Sequence, residues 1–457
     1  MPLRGQPSLP GHAAAGRASN TGGAEEDWHK LMLMPHPNRR KFLGRNIVLP
    51  SLVCRLFDRS GPVLAAQTGG TSTYDLLIRG GHVIDPGQGL SAETDIAIRQ
   101  GKVARVAPNI AESAARHVLD ARKMIVTPGL VDVHVHVYDG VAPLCIPADP
   151  NCIAKGATTV VDAGSAGAHT FPGFRQYVIR MVETRVYALL NISVVGQSTL
   201  SDGNPFGELL DLRYANPKLA IRTIEQNRDV ILGVKIRLTR NIAGENDLRA
   251  LGLAREAADA VGLPLMVHIG GTYSPLPKIL AMLKAGDLVT HSFHGHEGGI
   301  LDERDRVLPD VRRAVERDVL LDVGHGAGSF AFRTAEKAFA QNVLPGTISS
   351  DLHQSNVNGP VYDLATTLSK FLHLGISLEE VIRRATANPA KALAFPSGTG
   401  SLKEGGIADV AVFELRDAPW EMVDAMGEKR PGKWRLRPIT TVKAGRVYGN
   451  SVIPVYQ

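Results

Sequence analysis

Short apolar segments alternate with longer helical or polar segments through the middle of this chain, and this alternation restricts the fold more than any other feature. Helical stretches such as "DLRALGLAREAADAVG" and "LPKILAMLKAG" separate several of the apolar segments. Such alternation is typical of parallel sheets with helical crossovers, and eight repeats favour a closed barrel over an open doubly wound sheet. We therefore predict an α/β fold with a (β/α)8 barrel of the TIM type. The candidate strands are "GLVDVHVHV", "ATTVVDAG", "VYALLNISVVG", "DVILGVKIRL", "LPLMVHIG", "DLVTHSF", "VLLDVGHG" and "GTISSDLH".

Short β segments flank this repeat on both sides. "TYDLLIRGGHVIDPGQGL" before it, and "GIADVAVFEL" and "ITTVKAGRVYGNSVI" after it, place apolar runs between Gly, Pro and Asp residues. We predict that residues 71–126 and 396–457 pair into a small β-sandwich domain beside a barrel formed by residues 127–395. The 457 residues, 44% of them hydrophobic, are enough to bury the core of both.

Residues 1–70 are predicted to be a disordered leader, because the first part is rich in Gly, Ala, Ser and Pro and lacks periodicity. Arg39 and Arg40 precede Phe-Leu as in twin-arginine export signals, and small residues near Ala66 would suit cleavage. Charged residues such as Arg55 interrupt the expected apolar core. Two interpretations stay open: export to the periplasm, or a cytoplasmic protein whose basic leader is retained.

The net charge of +6 gives little support for a nucleic-acid partner. Residues 1–60 contain nine Lys and Arg against four Asp and Glu, which accounts for +5 of it. The remainder is nearly neutral and shows no interleaved basic and aromatic residues. No apolar run approaches the ~18 residues of a membrane span. The three cysteines are too few for a disulfide scaffold or a cysteine-based zinc site. We expect a small-molecule substrate, and homo-oligomer formation is left open.

Two histidines, His134 and His136, stand two positions apart in the first candidate strand. Alternate residues of a strand point to the same side, so both imidazoles leave the segment in parallel. Two parallel neutral imidazoles can both coordinate the same metal ion. On this segment alone, a pair of histidines hydrogen-bonded on a half-buried strand is equally consistent.

Four more residues of metal-binding character stand near the ends of later candidate strands: Lys235, His268, His291 and Asp351. In a (β/α)8 barrel the chemistry sits at the carboxyl ends of the strands. A lone histidine there is more often structural than ligating. Their occurrence in strand order, together with the first two histidines, predicts a metal centre.

Lys235 needs a separate account, because an ammonium group cannot coordinate a metal. It lies among Val, Ile and Leu in "DVILGVKIRL", where burial lowers the pKa of a lysine and frees its amine. A neutral amine can add carbon dioxide and become a carbamate whose oxygens can bridge two cations. The alternatives are a lysine that reaches the barrel mouth or one that pairs with Asp351.

Five further residues are weaker candidates for substrate binding: Tyr138, Arg237, His294, His325 and His353. Tyr138 shares the direction of the paired histidines and could donate to an oxyanion. Arg237 follows Lys235 at the same strand parity and could bind a carboxylate, or be an ordinary ion-paired arginine. His294 falls in a loop beyond its strand, so we expect a pocket residue there. His325 and His353 are expected at the barrel mouth.

Several motifs together resemble the amidohydrolase superfamily, and more narrowly its branch of dihydroorotase-like amidohydrolases and deacetylases. The resemblance covers roughly residues 74–450. The motifs that carry it are "VTPGLVDVHVHV", "GATTVVDAGSAGA", "GVKIR", "GLPLMVHIGG", "VTHSFHG", "DVGHGAGSF" and "SSDLH…GPVYDLATTLSKFLHLGISLEEVI".

The resemblance implies a binuclear site with two divalent ions, zinc by preference and manganese or another metal as alternatives. His134, His136 and Asp351 would hold one ion and His268 and His291 the other, with a carbamate on Lys235 between them. A metal-bridging hydroxide would attack the substrate, and Asp351 would carry its proton to the leaving group. The implied reaction is hydrolysis of an amide or ester bond of a small acylated carboxylic acid, either an N-acyl amino acid or an O-acyl hydroxy acid.

Two alternatives to this reaction stay open. One is hydrolysis of a cyclic amide, as in dihydroorotases and hydantoinases. The other is a non-catalytic barrel homologue that acts as a binding protein. The full set of ligand residues argues against the second, because an inactive copy would be expected to lose at least one of them.

Overall fold

The computed structural model describes residues 64–66, 72–200, 206–396 and 398–449. The leader predicted for residues 1–70, including its twin-arginine motif, lies outside these ranges except at residues 64–66. The strands are β1 (Leu64–Ala66), β2 (Tyr74–Asp85), β3 (Leu90–Arg99), β4 (Lys102–Ala107), β5 (Ala115–Asp120), β6 (Ile125–Pro128), β7 (Leu130–Val135), β8 (Ala157–Gly167), β9 (Arg185–Asn191), β10 (Ile231–Arg237), β11 (Leu265–His268), β12 (Leu288–Thr290), β13 (Leu320–Leu321), β14 (Val410–Val423), β15 (Lys429–Lys443) and β16 (Arg446–Tyr448).

The α-helices follow the strands of the central repeat and continue into the C-terminal third of the chain. They are α1 (Ala148–Asn151), α2 (Phe171–Phe174), α3 (Pro217–Glu225), α4 (Asp247–Val261), α5 (Leu276–Leu280), α6 (Pro309–Glu316), α7 (Phe332–Phe339), α8 (Leu364–His373), α9 (Leu378–Arg383) and α10 (Ala387–Ala392). None of the helices in the described ranges has both the length and the apolar character to cross a bilayer.

Strands β7 to β13 form a parallel sheet in chain order. Residues 347–352 form isolated parallel bridges with both edges of this sheet. Thr347 pairs with Asp322, directly after β13, and Leu352 pairs with Val135 of β7. This segment lies where the eighth candidate strand was expected. The α/β class and a barrel-type parallel sheet are therefore confirmed.

The barrel strands are buried along almost their whole length, which is typical of parallel sheets covered on both faces. Every residue of β7 and of β8 is buried. Helix α4 matches its prediction and ends at Gly262, which adopts a left-handed conformation. Helix α5 is shorter than predicted: from Met282 the backbone N–H groups bond three residues back, and that of Lys284 donates to the Asp287 carboxylate at 2.7 Å.

The early and late β segments form one nine-stranded sheet, made of β1 to β6 and β14 to β16. The two parts of the chain meet where β14 pairs antiparallel with β6. Strand β1, inside the range expected to be a leader, pairs antiparallel with β5. The sandwich arrangement of this sheet and the domain boundaries stay predictions.

Candidate metal centre

Three ligand-type residues meet at one carboxylate oxygen. Oδ1 of Asp351 lies 3.3 Å from Nε2 of His134 and 3.1 Å from Nε2 of His136. The backbone of residues 347–352 runs beside β7, and the N–H of Asp351 donates to the carbonyl of His134 at 2.7 Å. Sheet closure therefore brings residues more than 200 positions apart in the sequence into contact.

The second pair of histidines lies beside the first. Nε2 of His291 is 2.9 Å from Nδ1 of His268, and the rings of His134 and His291 are 5.0 Å apart between centroids. One nitrogen or oxygen from each of His134, His291 and Asp351 lies within 4.8 Å of the others. The four histidines and Asp351 thus form one cluster.

Lys235 is fully buried on β10 at the edge of this cluster. Its Nζ lies 3.3 Å from Nε2 of His134 and 3.4 Å from Sδ of Met266. Burial lowers the pKa of Lys235 to about 7, with the Asp351 carboxylate opposing the shift. A Cβ added to Gly164 would lie 2.7 Å from Cγ of the lysine, so only glycine leaves room for it there.

The backbone is strained at two of these residues. His291 has φ +66° and Asp351 has φ +48°, in the left-handed region that residues other than glycine rarely adopt. Such a conformation costs about 1–2 kcal/mol per residue and is concentrated at functional sites. The surrounding contacts therefore hold both side chains in orientations that the chain alone would not choose.

A hydrogen-bond relay determines which nitrogen of His134 carries the proton. The hydroxyl of Thr290 donates to Asp322 at 2.7 Å, so it can only accept from Nδ1 of His134, at 2.8 Å. Nε2 of His134 then carries the lone pair, and Nζ of Lys235 lies 3.3 Å from it. His291 is fixed in the same way, because its Nδ1 donates to the carbonyl of Gly324 at 2.7 Å.

Burial determines the charge of the cluster. It lowers the pKa of His134 well below its ordinary value and that of His291 to about 3, so both rings are neutral near pH 7. Burial would raise the pKa of Asp351, but the groups around it, among them the hydrogen bond from His136, hold the pKa of the carboxyl well below its ordinary value. The cluster therefore offers neutral imidazoles and a carboxylate.

This donor set fits a divalent cation. The lone pair of His134 Nε2 faces an ionised oxygen of Asp351 at 3.3 Å, and two acceptors that close are stabilised by a cation near them, as Nζ of Lys235 is at 3.3 Å from the same nitrogen. Nitrogen and carboxylate ligands suit zinc and manganese. Imidazoles that are fixed through their second nitrogen are also typical of metal sites.

Two of the weaker candidates have other partners. The hydroxyl of Tyr138 donates to the carbonyl of Thr170 at 2.8 Å, so the expected oxyanion donor has already used its proton. Nε2 of His325 accepts from Lys370 at 2.8 Å, and its Nδ1 lies 3.0 Å from the carbonyl of Gly326. Both ring nitrogens of His325 are therefore engaged within the protein, and its role as a substrate contact stays a prediction.

Arg237 retains free hydrogen-bonding capacity. One terminal nitrogen lies 3.1 Å from Glu208, which is 2% exposed. The Nε of Arg237 is buried and has no partner among the described residues. The arginine can therefore keep its ion pair and still donate to a second anion.

His353 and His294 share one arrangement. Nδ1 of His353 accepts the N–H of Ser355 at 3.2 Å, and Nδ1 of His294 accepts the N–H of His296 at 3.1 Å. In the neutral ring each Nε2 then carries the proton. The ring of His353 lies 6.4 Å from that of His136, so its N–H is close to the metal ligands.

Some supporting residues were not found from the sequence. Thr290 and Asp322 are polar residues that directly follow apolar runs in the segments "DLVTHSF" and "VLLDVGHG", a signal that could have revealed them. Glu208 lies in an irregular loop after β9, and Lys370 lies on the buried side of α8. No pattern in the sequence distinguishes these two from surface charges.

Comparisons with known proteins place the chain in a family. A barrel-type sheet with a cluster of imidazoles and a carboxylate at its strand ends defines a hydrolase of the amidohydrolase class. The model of the amidohydrolase family matches residues 125–448. The chain therefore belongs to the amidohydrolase family and is a hydrolase.

Individual relatives agree with this assignment. The chain is 35% identical over 383 residues to a deacetylase of Enterococcus faecalis, an alignment that covers 82% of this chain and all of the relative. A crystal structure of an adenine deaminase matches at 34% identity with a TM-score of 0.76, covering 82% of this chain and 100% of the other. A crystal structure of a dihydroorotase matches at 34% identity with a TM-score of 0.74, covering 82% and 98%.

Proposed function

We propose that this chain is a metal-dependent deacetylase that hydrolyses an amide or ester bond of a small acylated carboxylic acid. The observation that carries the proposal is the contact of Asp351 with His134 and His136, with the buried Lys235 beside them. The similarity to a deacetylase of Enterococcus faecalis favours acyclic acyl substrates.

Two divalent ions, zinc by preference, would be held by the cluster. His134, His136 and Asp351 would bind one ion, and His268 and His291 the other. The neutral amine of Lys235 would add carbon dioxide with loss of a proton, and the resulting carbamate would bridge the ions. When bound, such ions supply a nucleophile at neutral pH and polarise the substrate carbonyl.

The residues of the chain would then bind the substrate and move the proton. Asp351 would accept a proton from the attacking water and deliver it to the leaving nitrogen or oxygen. The Nε2–H of His353 would donate to the developing oxyanion. The guanidinium of Arg237, whose side chain is partly exposed, would bind the substrate carboxylate and so orient the acyl bond towards Asp351.

The second candidate function is hydrolysis of a cyclic amide. The dihydroorotase-named crystal structure, at 34% identity, favours it. The two functions share the metal ligands and differ in the loops around them.

A substrate screen tests these proposals. Zinc- or manganese-loaded protein is incubated with N-acyl amino acids, O-acyl hydroxy acids and cyclic imides in labelled water. We expect turnover of an acyclic acyl acid, the solvent oxygen in the released carboxylate, and about two metal ions per chain by elemental analysis. Turnover restricted to cyclic imides would favour the second candidate, and a metal-free, inactive protein would favour a binding role.

We also propose that the leader directs export through the twin-arginine pathway. The motif at Arg39 and Arg40 supports this, whereas the charged residues that follow it weaken the signal. Cell fractionation of the full chain and of an Arg39→Lys/Arg40→Lys variant tests it. Periplasmic wild type with a cytoplasmic variant is the expected result, and identical distributions would reject it.

A further inference from the structure

Asn356 is a buried asparagine in an otherwise polar and exposed turn. The turn follows the last barrel segment in the sequence "DLHQSNVNG". Asn356 is 0% exposed, whereas Gln354, Ser355 and Asn358 of the same turn are exposed. A buried side-chain amide is tolerated only where it is hydrogen-bonded. The partners of Asn356 therefore indicate its role.

The side chain of Asn356 connects the backbones of two proposed site residues. Its Nδ2 donates to the carbonyl of Asp351 at 2.7 Å, and its Oδ1 accepts the N–H of His353 at 2.9 Å. The two partners fix the orientation of the amide, because a flipped amide would place donor against donor and acceptor against acceptor. One side chain thus holds the backbone at both residues.

Asp351 has a backbone conformation that depends on such contacts. Its φ is +48°, and strain of this kind persists only where the surroundings fix the chain on both sides. The peptide before it is held by Asp132, whose carboxylate accepts the N–H and the hydroxyl of Ser350 at 3.0 and 2.5 Å. Asn356 donates to the carbonyl after it, and no other described residue donates to that carbonyl. Asn356 therefore completes the support of the left-handed conformation.

The carboxylate of Asp351 has little room to move. Its Oδ1 lies 3.1 Å from Nε2 of His136, and a Cβ on Gly326 would lie 2.5 Å from its Oδ2. Without Asn356 the buried carbonyl of Asp351 would lack a donor, which favours rotation of the peptide towards a new partner. Such a rotation would carry the carboxylate away from the histidines.

We propose that Asn356 is a positioning residue that holds Asp351 and His353 in place beside the metal ligands. This inference rests on the proposed function, in which Asp351 binds a metal ion and transfers the proton, and His353 donates to the oxyanion. Asn356 acts through the backbone of these two residues. It links the proton carrier to the oxyanion donor, so that the two keep a fixed relative position.

Asn356→Leu removes both hydrogen bonds and nearly preserves the side-chain volume. We expect zinc affinity, measured by competition with a chromogenic chelator, to weaken about 10- to 100-fold. We expect kcat to fall about 10- to 100-fold with a smaller change in KM, because the reacting groups are misplaced. Asn356→Ala should have the same effects and replaces the leucine variant if that protein does not fold.

Two other asparagines provide matched controls. Asn358→Leu alters an exposed asparagine of the same turn. Asn388→Leu removes a hydrogen bond of equal length, from Nδ2 to the carbonyl of Gly346 at 2.7 Å, directly before residues 347–352. Both controls should keep wild-type zinc affinity and kcat. Losses in Asn388→Leu as large as those in Asn356→Leu would overturn the inference.

A double-variant cycle separates positioning from a general loss of stability. In the Asp351→Asn background, Asn356→Leu should change zinc affinity by no more than about 2-fold, because the metal ligand that it positions has already been removed. A purely structural role would give the same fold-change in both backgrounds. Equal fold-changes would therefore overturn the inference.

Crystal structures of metal-free wild type and Asn356→Leu need neither metal nor turnover. We expect the distance from Oδ1 of Asp351 to Nε2 of His136 to increase by about 1 Å in the variant, a displacement large enough to impair catalysis. That displacement would support the inference even if no acyl substrate were hydrolysed, an outcome that rejects only the proposed function. Unchanged positions of Asp351 and His353 in the variant would overturn the inference even if hydrolysis were observed.

Discussion

The hydroxyl of Thr290 lies 2.8 Å from Nδ1 of His134 and donates a hydrogen bond to Asp322 at 2.7 Å. The relay turns the lone pair of His134 towards Asp351 before any metal is bound. A metal site built in this way does not have to reorient its ligand on binding, and this preorganisation favours affinity. The relay therefore makes a prediction about metal binding.

Thr290→Val should weaken zinc binding about 10- to 100-fold, because the isosteric side chain cannot accept from His134. Competition with a chromogenic chelator measures the affinity. The control is Thr367→Val on α8, where the buried hydroxyl bonds only to the helix carbonyl of Asp363. Unchanged zinc affinity in the first variant would show that the relay has no part in ligand orientation.

Lys235→Ala should lose most of its bound metal, because the proposed carbamate would no longer form. Short carboxylates such as propionate should restore part of the metal content and activity by occupying the vacated space. Lys337→Ala, a change at an exposed ion pair, is the control and should keep wild-type metal content. A fully metallated, active Lys235→Ala protein would contradict the bridging role.

Asp351→Asn should keep the fold and part of the metal while lowering kcat about 10²- to 10⁴-fold, as expected for loss of proton transfer. Steady-state kinetics at several pH values measures this effect. Asp417→Asn, an exposed change far from the cluster in sequence, should leave kcat unaltered. Near-normal turnover of the first variant would remove Asp351 from the mechanism.

Arg237→Gln should raise KM about 10- to 100-fold for substrates with a free carboxylate and change KM little for their methyl esters. The substitution also removes the ion-pair partner of the buried Glu208, so the free energy of unfolding should be measured in parallel. A double variant with Glu208→Gln should regain stability without regaining the low KM. If both substrate series changed equally, Arg237 would be structural and not a carboxylate anchor.

Lys370→Met should lower the free energy of unfolding by about 2–4 kcal/mol. Nζ of Lys370 donates to His325 and to the carbonyls of Pro360 and Val423, at 2.8, 2.9 and 2.7 Å, and methionine leaves all three acceptors unpaired. Lys337→Met at the surface should change stability by no more than about 0.5 kcal/mol. Denaturant titration compares the two variants, and equal effects would count against a structural role of Lys370.

The same lysine makes stability depend on pH. Burial lowers the pKa of Lys370 from 10.5 to about 7, so the unfolded chain binds more protons between these values and stability rises with pH there. The difference in unfolding free energy between wild type and Lys370→Met should grow with pH, by up to about 1.4 kcal/mol per pH unit. A difference that stays constant from about pH 7 to about pH 10 would show that the pKa is not lowered.

The sequence reveals those parts of the site that depend on strand periodicity. His134, His136 and Lys235 can be found because they stand at the ends of apolar segments whose order fixes their position in a barrel. The contact of Thr290 with Asp322 joins neighbouring strands, and its register depends on the closed sheet. The hydrogen bond from Tyr138 to Thr170 could not be predicted, because the accepting carbonyl belongs to a later loop.

Lys370 also limits how freely this fold can be recombined. Its three acceptors come from the turn after the seventh barrel strand, from the loop before α8 and from the end of β14. A barrel grafted into a chimaera without its native C-terminal hairpin would lose the Val423 acceptor and carry a poorly solvated ammonium in its interior. In chimaeras of homologues, the barrel and the β14–β15 hairpin should therefore be taken from the same parent protein.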